Sequence, residues 1–226
     1  YSIISFNYDL AVDHALTYYD IPFSYCLGND YESEYLSYLK IHGSLNWGFC
    51  EKCNSIIPYM LSDFFLKHKF HDKKHNRLHI TKFLNEITHC KNKITNTPFL
   101  IPPVWNKYSQ QMLMKNIWKK ASTELSDAKN IVICGYSLPQ SDPSFRHLLA
   151  ISLSYGQVLN HISFINPDKQ AISRFESLIS DSISRRCNII ENNFEESIGK
   201  IFKLLNIDYM FQDSLGGVQY ERYMKL

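Results

Sequence analysis

Apolar residues in this chain fall into short unbroken runs, separated by stretches in which they recur every three or four positions. Ile131-Val132-Ile133-Cys134 is stopped by Gly135, and Ile162-Ser163-Phe164-Ile165 by Asn166-Pro167. Runs of this length bounded by turn residues predict strands buried on both faces. The same reading predicts strands over residues 2–6, 38–41, 130–134, 162–165 and 187–190. Helical spacing predicts helices over residues 9–19 (Leu10, Val12, Ala15 and Leu16 inward) and 106–126 (Met112, Leu113, Ile117, Trp118, Ala121 and Leu125 inward). Three more are predicted over residues 142–154, 168–180 and 194–205. Asp142 is placed to cap its helix, with Pro143 at the first helical position. Strands alternating with helices imply an α/β fold, a Rossmann-like parallel sheet with helices on both faces.

One interruption breaks the alternation. Residues 1–46 read as the first part of the sheet domain and residues 104–205 as the second. Between them, residues 47–103 hold cysteines, histidines and lysines in a small inserted module, closed by Pro102-Pro103, which continues neither a helix nor a central strand. Residues 206–226, with Gly216-Gly217, read as a tail or linker. The chain opens on Tyr1 and runs straight into a strand pattern, so the N-terminal part of the fold is expected to lie upstream in a longer protein.

Composition narrows the class. With 226 residues, 45% hydrophobic and 20% charged, the chain can bury a core and is not a disordered segment. A formal charge of +2 without a Lys/Arg stripe argues against direct nucleic-acid binding. The densest basic stretch, residues 67–77, is histidine-rich and reads as a solvated insertion. No apolar run approaches the roughly 18 residues of a membrane span. Cysteines at 26, 50, 53, 90, 134 and 187 do not form a disulfide framework, and a cytoplasmic setting fits them best.

Polar groups gather where predicted strands end. Ile3-Ile4 runs into Ser5-Phe6-Asn7-Tyr8-Asp9, and Leu39-Lys40-Ile41 into His42-Gly43-Ser44. Ligands in open α/β sheets bind at that carboxyl edge. Histidine is the side chain that titrates near neutrality, although a strand-capping core histidine is the bland alternative for His42. Gly135 with Ser137, and Asn166 with Asp168, follow two later strands and suit a ribose or phosphate. Asn166-Pro167-Asp168 is equally an ordinary helix start. Cys50-x2-Cys53 has half the spacing of a zinc site. Cys90 is the best third ligand, since His89 beside it is not expected to join the same ion. His71, His75 and His79 recur every four residues, as a polar helix face or a further ligand.

These motifs, in this order, resemble the sirtuin-like domains of bacterial antiphage defence proteins. The resemblance rests on Phe6-Asn7-Tyr8-Asp9, Ile41-His42-Gly43-Ser44-Leu45-Asn46-Trp47, Cys50-Glu51-Lys52-Cys53, Ile101-Pro102-Pro103, Gly135-Tyr136-Ser137-Leu138-Pro139 with Asp142, and Ile165-Asn166-Pro167-Asp168. It implies a sheet that binds NAD as substrate, with catalytic Asn7 and His42 at the nicotinamide ribose. Asp9 would hold the nicotinamide end, Phe6 would also contact the cofactor, and Gly135, Ser137, Asn166 and Asp168 would lie at the adenosine half. Beside the resemblance, the cysteine spacing makes Cys50, Cys53 and Cys90 the candidate ligands of a structural zinc. The expected partner is a regulatory domain or protein that senses infection, in a homo-oligomer. Two departures shape the expectation. No glycine-rich phosphate loop precedes Ser5, and Pro102-Pro103 removes backbone donors that an acyl-peptide would pair with. Hydrolysis of NAD to nicotinamide and ADP-ribose is therefore expected ahead of protein deacylation. A non-catalytic NAD or ADP-ribose sensor and a purely structural scaffold are the other readings.

Overall fold

The computed structural model describes residues 1–28, 34–68, 84–102, 112–139, 142–155, 159–204, 209–214 and 217–222. The chain divides into two compact units, Tyr1–Glu124 and Leu125–Leu226. His71, His75, His79, Pro103, Gly216 and residues 106–111 of the helix predicted over 106–126 lie outside the described residues.

In the first unit, β1 (Ser2–Ser5), α1 (Ala11–Tyr18), β2 (Phe23–Ser24) and β3 (Leu36–Lys40) build a parallel sheet of order β1-β3-β2. The β1–β3 register runs from Ser2 opposite Ser37 to Ser5 opposite Lys40. Ser37, Tyr38, Leu39 and Lys40 are all buried, as expected of a strand covered on both faces. Helix α1 starts later than predicted because the Asp9 carboxylate turns back to accept the Ala11 N–H at 3.0 Å. Its inward face also differs: Asp13 and Leu16 are buried whereas Ala15 is exposed.

Two hairpins follow. One pairs β4 (Trp47–Cys50) with β5 (Ser55–Pro58), and the other pairs β6 (Thr88–His89) with β7 (Asn92–Lys93). Between them, α2 (Leu61–His68) sets Leu61 and Phe64 against Leu10. Cys50, Leu84 and Ile94 form a second small core that ties the hairpins together. The chain then returns as a strap: Thr95 N donates to Phe49 O, Phe99 N to Trp47 O, and Ile101 N to the His42 carbonyl. Helix α3 (Lys115–Asp127) buries Ile117, Ala121 and Leu125, three of its predicted inward positions, while Met112 is half exposed.

The second unit holds β8 (Asn130–Cys134), α4 (Pro143–Tyr155), β9 (His161–Ile165), α5 (Lys169–Glu176), α6 (Asp181–Ser184), β10 (Cys187–Ile190) and α7 (Phe194–Leu204). Its three strands are parallel in the order β10-β9-β8. Central β9 is buried from Ile162 to Ile165, and Phe164 stacks on Phe175 of α5 at 4.4 Å. Each such ring contributes roughly 1.5–3 kcal/mol by leaving water. Where the sequence predicts one helix over 168–180, α5 stops at Glu176 and α6 forms a separate turn. The segment read as a linker carries an antiparallel hairpin, β11 (Tyr209–Ser214) with β12 (Gly217–Arg222). The whole is an α/β architecture of parallel strands and helices with a Cys/His module set into the first unit. Among the described residues no helix is long and apolar enough to cross a membrane.

Candidate functional site

The parallel register of β1 and β3 sends Phe6-Asn7 and Ile41-His42 out of the same carboxyl edge, since Ser5 faces Lys40 and Ile41 N still bonds Ser5 O at 3.0 Å. His42 is buried at 7% exposure, and its ring meets Phe6 edge-on at 5.5 Å and Tyr8 at 6.3 Å. Asn7 is exposed, and its backbone N–H donates to Ser5 Oγ at 3.2 Å. Asp9 is exposed too, with one carboxylate oxygen engaged by the Ala11 N–H. A packed imidazole, an open amide and an open carboxylate thus leave the same sheet edge, a set that can accept a proton and orient a polar ligand.

A buried polar network adjoins this edge, and the sequence reading missed it. Lys40 Nζ donates to Asp13 Oδ2 at 2.9 Å and to the Asp9 carbonyl at 2.6 Å, with both charged side chains at 0% exposure. Tyr38 donates to Asp13 Oδ2 at 3.1 Å, and Tyr25 to Asp13 Oδ1. Asn46 Nδ2 reaches the Tyr25 hydroxyl at 3.0 Å and Tyr59 O at 2.7 Å, while Ser44 Oγ donates to Asn46 Oδ1 at 2.6 Å. Burial, reinforced by the Asp13 charge, raises both tyrosine hydroxyls far above their usual range and keeps them protonated donors. Burial pulls the Lys40 ammonium down, and the Asp13 carboxylate opposes that pull. Stripping one partner from such a pair costs about 3–5 kcal/mol. The available signal was Lys40 itself: a cation inside the continuous run Tyr38-Leu39-Lys40-Ile41 requires a buried partner.

In the second unit, Cys134 faces Ile165 across parallel β8 and β9, so Gly135 and Asn166 leave one sheet edge together. Gly135 has φ +68° and open space where a side chain would be. Ser137 and Asp168 are exposed. Asn166 is buried and joins the two crossover loops: its Nδ2 donates to Tyr136 O at 3.1 Å, and its Oδ1 accepts the Asp168 N–H at 2.9 Å. Asp168 caps α5 by accepting Gln170 N–H at 2.8 Å. Its other oxygen lies 3.5 Å from Arg174, whose Nε donates to Ser137 O at 2.9 Å. Tyr136 donates to buried Asp142 at 2.8 Å.

The hairpin turns converge as a four-donor cluster of Cys50, Cys53, His89 and Cys90, all donor atoms within 4.8 Å of one another. His89 Nδ1 lies 3.4 Å from Cys53 Sγ and 3.4 Å from Cys90 Sγ. His89 thus joins its sequence neighbour, contrary to the expectation drawn from adjacency. The reason is the turn: β6 and β7 are joined by Cys90 and Lys91 alone, both with positive φ (+52° and +63°), which folds the cysteine back over the histidine. Left-handed backbone at two non-glycine residues is unfavourable unless something holds it. Tetrahedral zinc with thiolate and imidazole ligands separates sulfur from nitrogen by about 3.6 Å, so the donor set and spacing fit that ion. The ring of His89 lowers the Cys50 thiol and the Ser55 hydroxyl lowers Cys53, while the neighbouring Cys53 sulfur raises Cys90.

No protein-family model and no curated protein sequence matches the chain. Solved structures of Sir2 enzymes are similar to it at 12% identity. One described in terms of the mechanism and regulation of Sir2 enzymes has a TM-score of 0.44, covering 91% of this chain and 62% of its own. Sir2Tm bound to a propionylated peptide scores 0.39 over 77% and 59%, and a Sir2 complex with a p53 peptide and NAD+ scores 0.37 over 75% and 55%. The chain thus spans about three-fifths of the length of these structures. At such scores the likeness is loose, and function must be read from the side chains themselves.

Proposed function

We propose that this chain is a sirtuin-like NAD-consuming domain that hydrolyses the nicotinamide–ribose bond, yielding nicotinamide and ADP-ribose. The observation that carries this reading is the common edge of β1 and β3, where a packed His42 and an exposed Asn7 emerge from parallel strand ends. Cleavage of an N-glycosidic bond passes through an oxocarbenium-like state. The electron pair of the breaking C1′–N bond returns to the pyridinium nitrogen, releasing neutral nicotinamide. A water attacks C1′, held by the Asn7 amide oxygen, and His42 takes its proton as the new C–O bond forms. Asp9 holds the nicotinamide carboxamide and Phe6 covers its ring. Gly135, Ser137, Asn166 and Asp168 are assigned to the adenosine half.

The motif resemblance supports a role as effector of an antiphage defence system. Its NAD depletion would be held in check by a regulatory domain or partner and by oligomerisation in the cytoplasm. We assign zinc to Cys50, Cys53, His89 and Cys90 as a structural ion, on the strength of the donor set and spacing. The test is nicotinamide release from NAD, followed by chromatography with and without an acyl-lysine peptide. Release without peptide supports hydrolysis. Release only with peptide replaces it with deacylation, and tight NAD binding without release replaces it with a sensor.

A further inference from the structure

We propose that Lys40 is a positioning residue, its buried ammonium clamping the Asn7-bearing loop to the strand that carries His42. The inference rests on the assignment of Asn7 and His42 to nicotinamide–ribose cleavage. The last backbone bond of the β1–β3 ladder is Ile41 N to Ser5 O. Beyond it the Phe6–Asp9 segment leaves the sheet. Leu45 N then bonds Tyr8 O, the Tyr8 hydroxyl donates to Ile101 O, and Lys40 Nζ donates to Asp9 O at 2.6 Å. Lys40 stands two residues before His42, and Asp9 stands two residues after Asn7, so this bond links the strand of one group to the loop of the other. The ammonium is itself fixed by Asp13 on α1, the helix that begins directly after the loop, and Asp13 is held in turn by Tyr25 and Tyr38. The loop is therefore pinned at its carbonyl and through the helix it enters.

Stability alone does not account for a charge pair at 0% exposure in this place. Well-packed apolar side chains of similar volume are often as stable as a buried ion pair or more so. An aliphatic residue at 40, however, has no donor for the Asp9 carbonyl. Reactions that depend on a held water and a nearby base are sensitive to displacements of the order of 1 Å. Loss of the clamp should therefore appear in turnover rather than in binding.

The test replaces Lys40 and Asp13 together, because Lys40→Met alone strands the Asp13 carboxylate as an uncompensated buried charge. In Lys40→Met/Asp13→Asn, the new amide still offers an oxygen to Tyr25 and an N–H to the Tyr38 hydroxyl. Melting temperature, kcat and KM for nicotinamide release, and amide hydrogen exchange over residues 6–10 are measured beside wild type. The expected result is a folded variant with kcat lower by at least ~30-fold and KM within about threefold. Exchange over residues 6–10 should quicken at least ~10-fold, with the Cys50–Ser55 hairpin unchanged. A folded variant with wild-type kcat and unchanged exchange overturns the clamp. A wild-type protein that releases no nicotinamide overturns the functional reading instead, and the exchange measurement then decides the clamp by itself.

Discussion

A side-chain carbon on Gly43 would stand 2.2 Å from the carbonyl oxygen of Phe99, which accepts the Ser44 N–H at 3.1 Å. Gly43 also has φ +86° and forms an isolated antiparallel bridge with Leu100. Its lack of a side chain thus allows the returning strap to lie against the residue after His42. Gly43→Ala is expected to destabilise the protein by about 1–3 kcal/mol through backbone strain and overpacking. Urea unfolding measures this, and an unchanged midpoint would show that the strap yields freely.

His42→Ala should leave the fold intact by circular dichroism while nicotinamide release falls by about 10²–10⁴-fold, the usual worth of a positioned general base. Because the ring also fills space against Phe6 and Tyr8, His42→Gln serves as a second variant of closer size. Turnover within a few fold of wild type in both would remove His42 from the reaction.

The elements that the sequence displayed most clearly are the three strands of the second unit, although only β9 is buried from Ile162 to its end, β8 alternates and β10 is half exposed. β8 and β10 have the predicted bounds, and β9 begins one residue earlier, at His161. Apolar runs there leave no alternative register. Helix α1 is less clear, because apolar spacing marks Leu10, Val12, Ala15 and Leu16 and passes over Asp13, which faces inward where Lys40, Tyr25 and Tyr38 from other elements meet it. Single-segment periodicity cannot register a partner that arrives from elsewhere in the chain. The common edge of Asn7 and His42 was legible as two strand ends, but their parallel adjacency is a property of the sheet. His89 is set aside in the sequence on its adjacency to Cys90, and it is the two-residue turn, with positive φ at Cys90 and Lys91 and no glycine to announce it, that brings the ring to the cysteines.

Purified under reducing conditions, the protein is expected to carry one zinc per chain by elemental analysis. Cys53→Ser or His89→Ala should lose it, and a strong chelator should lower the melting temperature of wild type more than that of either variant. A chain that binds no metal and melts identically with chelator would show that the cluster stands without an ion.

Thiol chemistry should separate the cysteines once metal is removed. Burial and the nearby Glu176 carboxylate push Cys187 up to about 11, and burial raises Cys134. Cys53 is exposed and lowered, so more of it is thiolate at any pH below its neighbours' range. Iodoacetamide at pH 7.5 should label Cys53 well before Cys187, with mass spectrometry of the peptides as the readout. Faster labelling of Cys187 would contradict the burial seen for it.

Asn166→Ala removes the hydrogen bond that joins the loops after β8 and β9 and a second one within the latter loop, and should cost roughly 1–3 kcal/mol in denaturant unfolding. Asn166→Asp should be no milder, since a carboxylate cannot donate to the Tyr136 carbonyl.

The polypeptide leaving the Cys90 turn is the one that comes back as Phe99–Ile101 to grip His42, Gly43 and Ser44. If the ion fastens that turn, then withdrawing it frees the far end of the same ribbon, and the backbone at His42 loses the bond that Ile101 makes to its carbonyl. Zinc scarcity would thereby quieten the reaction with no dedicated sensor, and resupply would restore it without new synthesis.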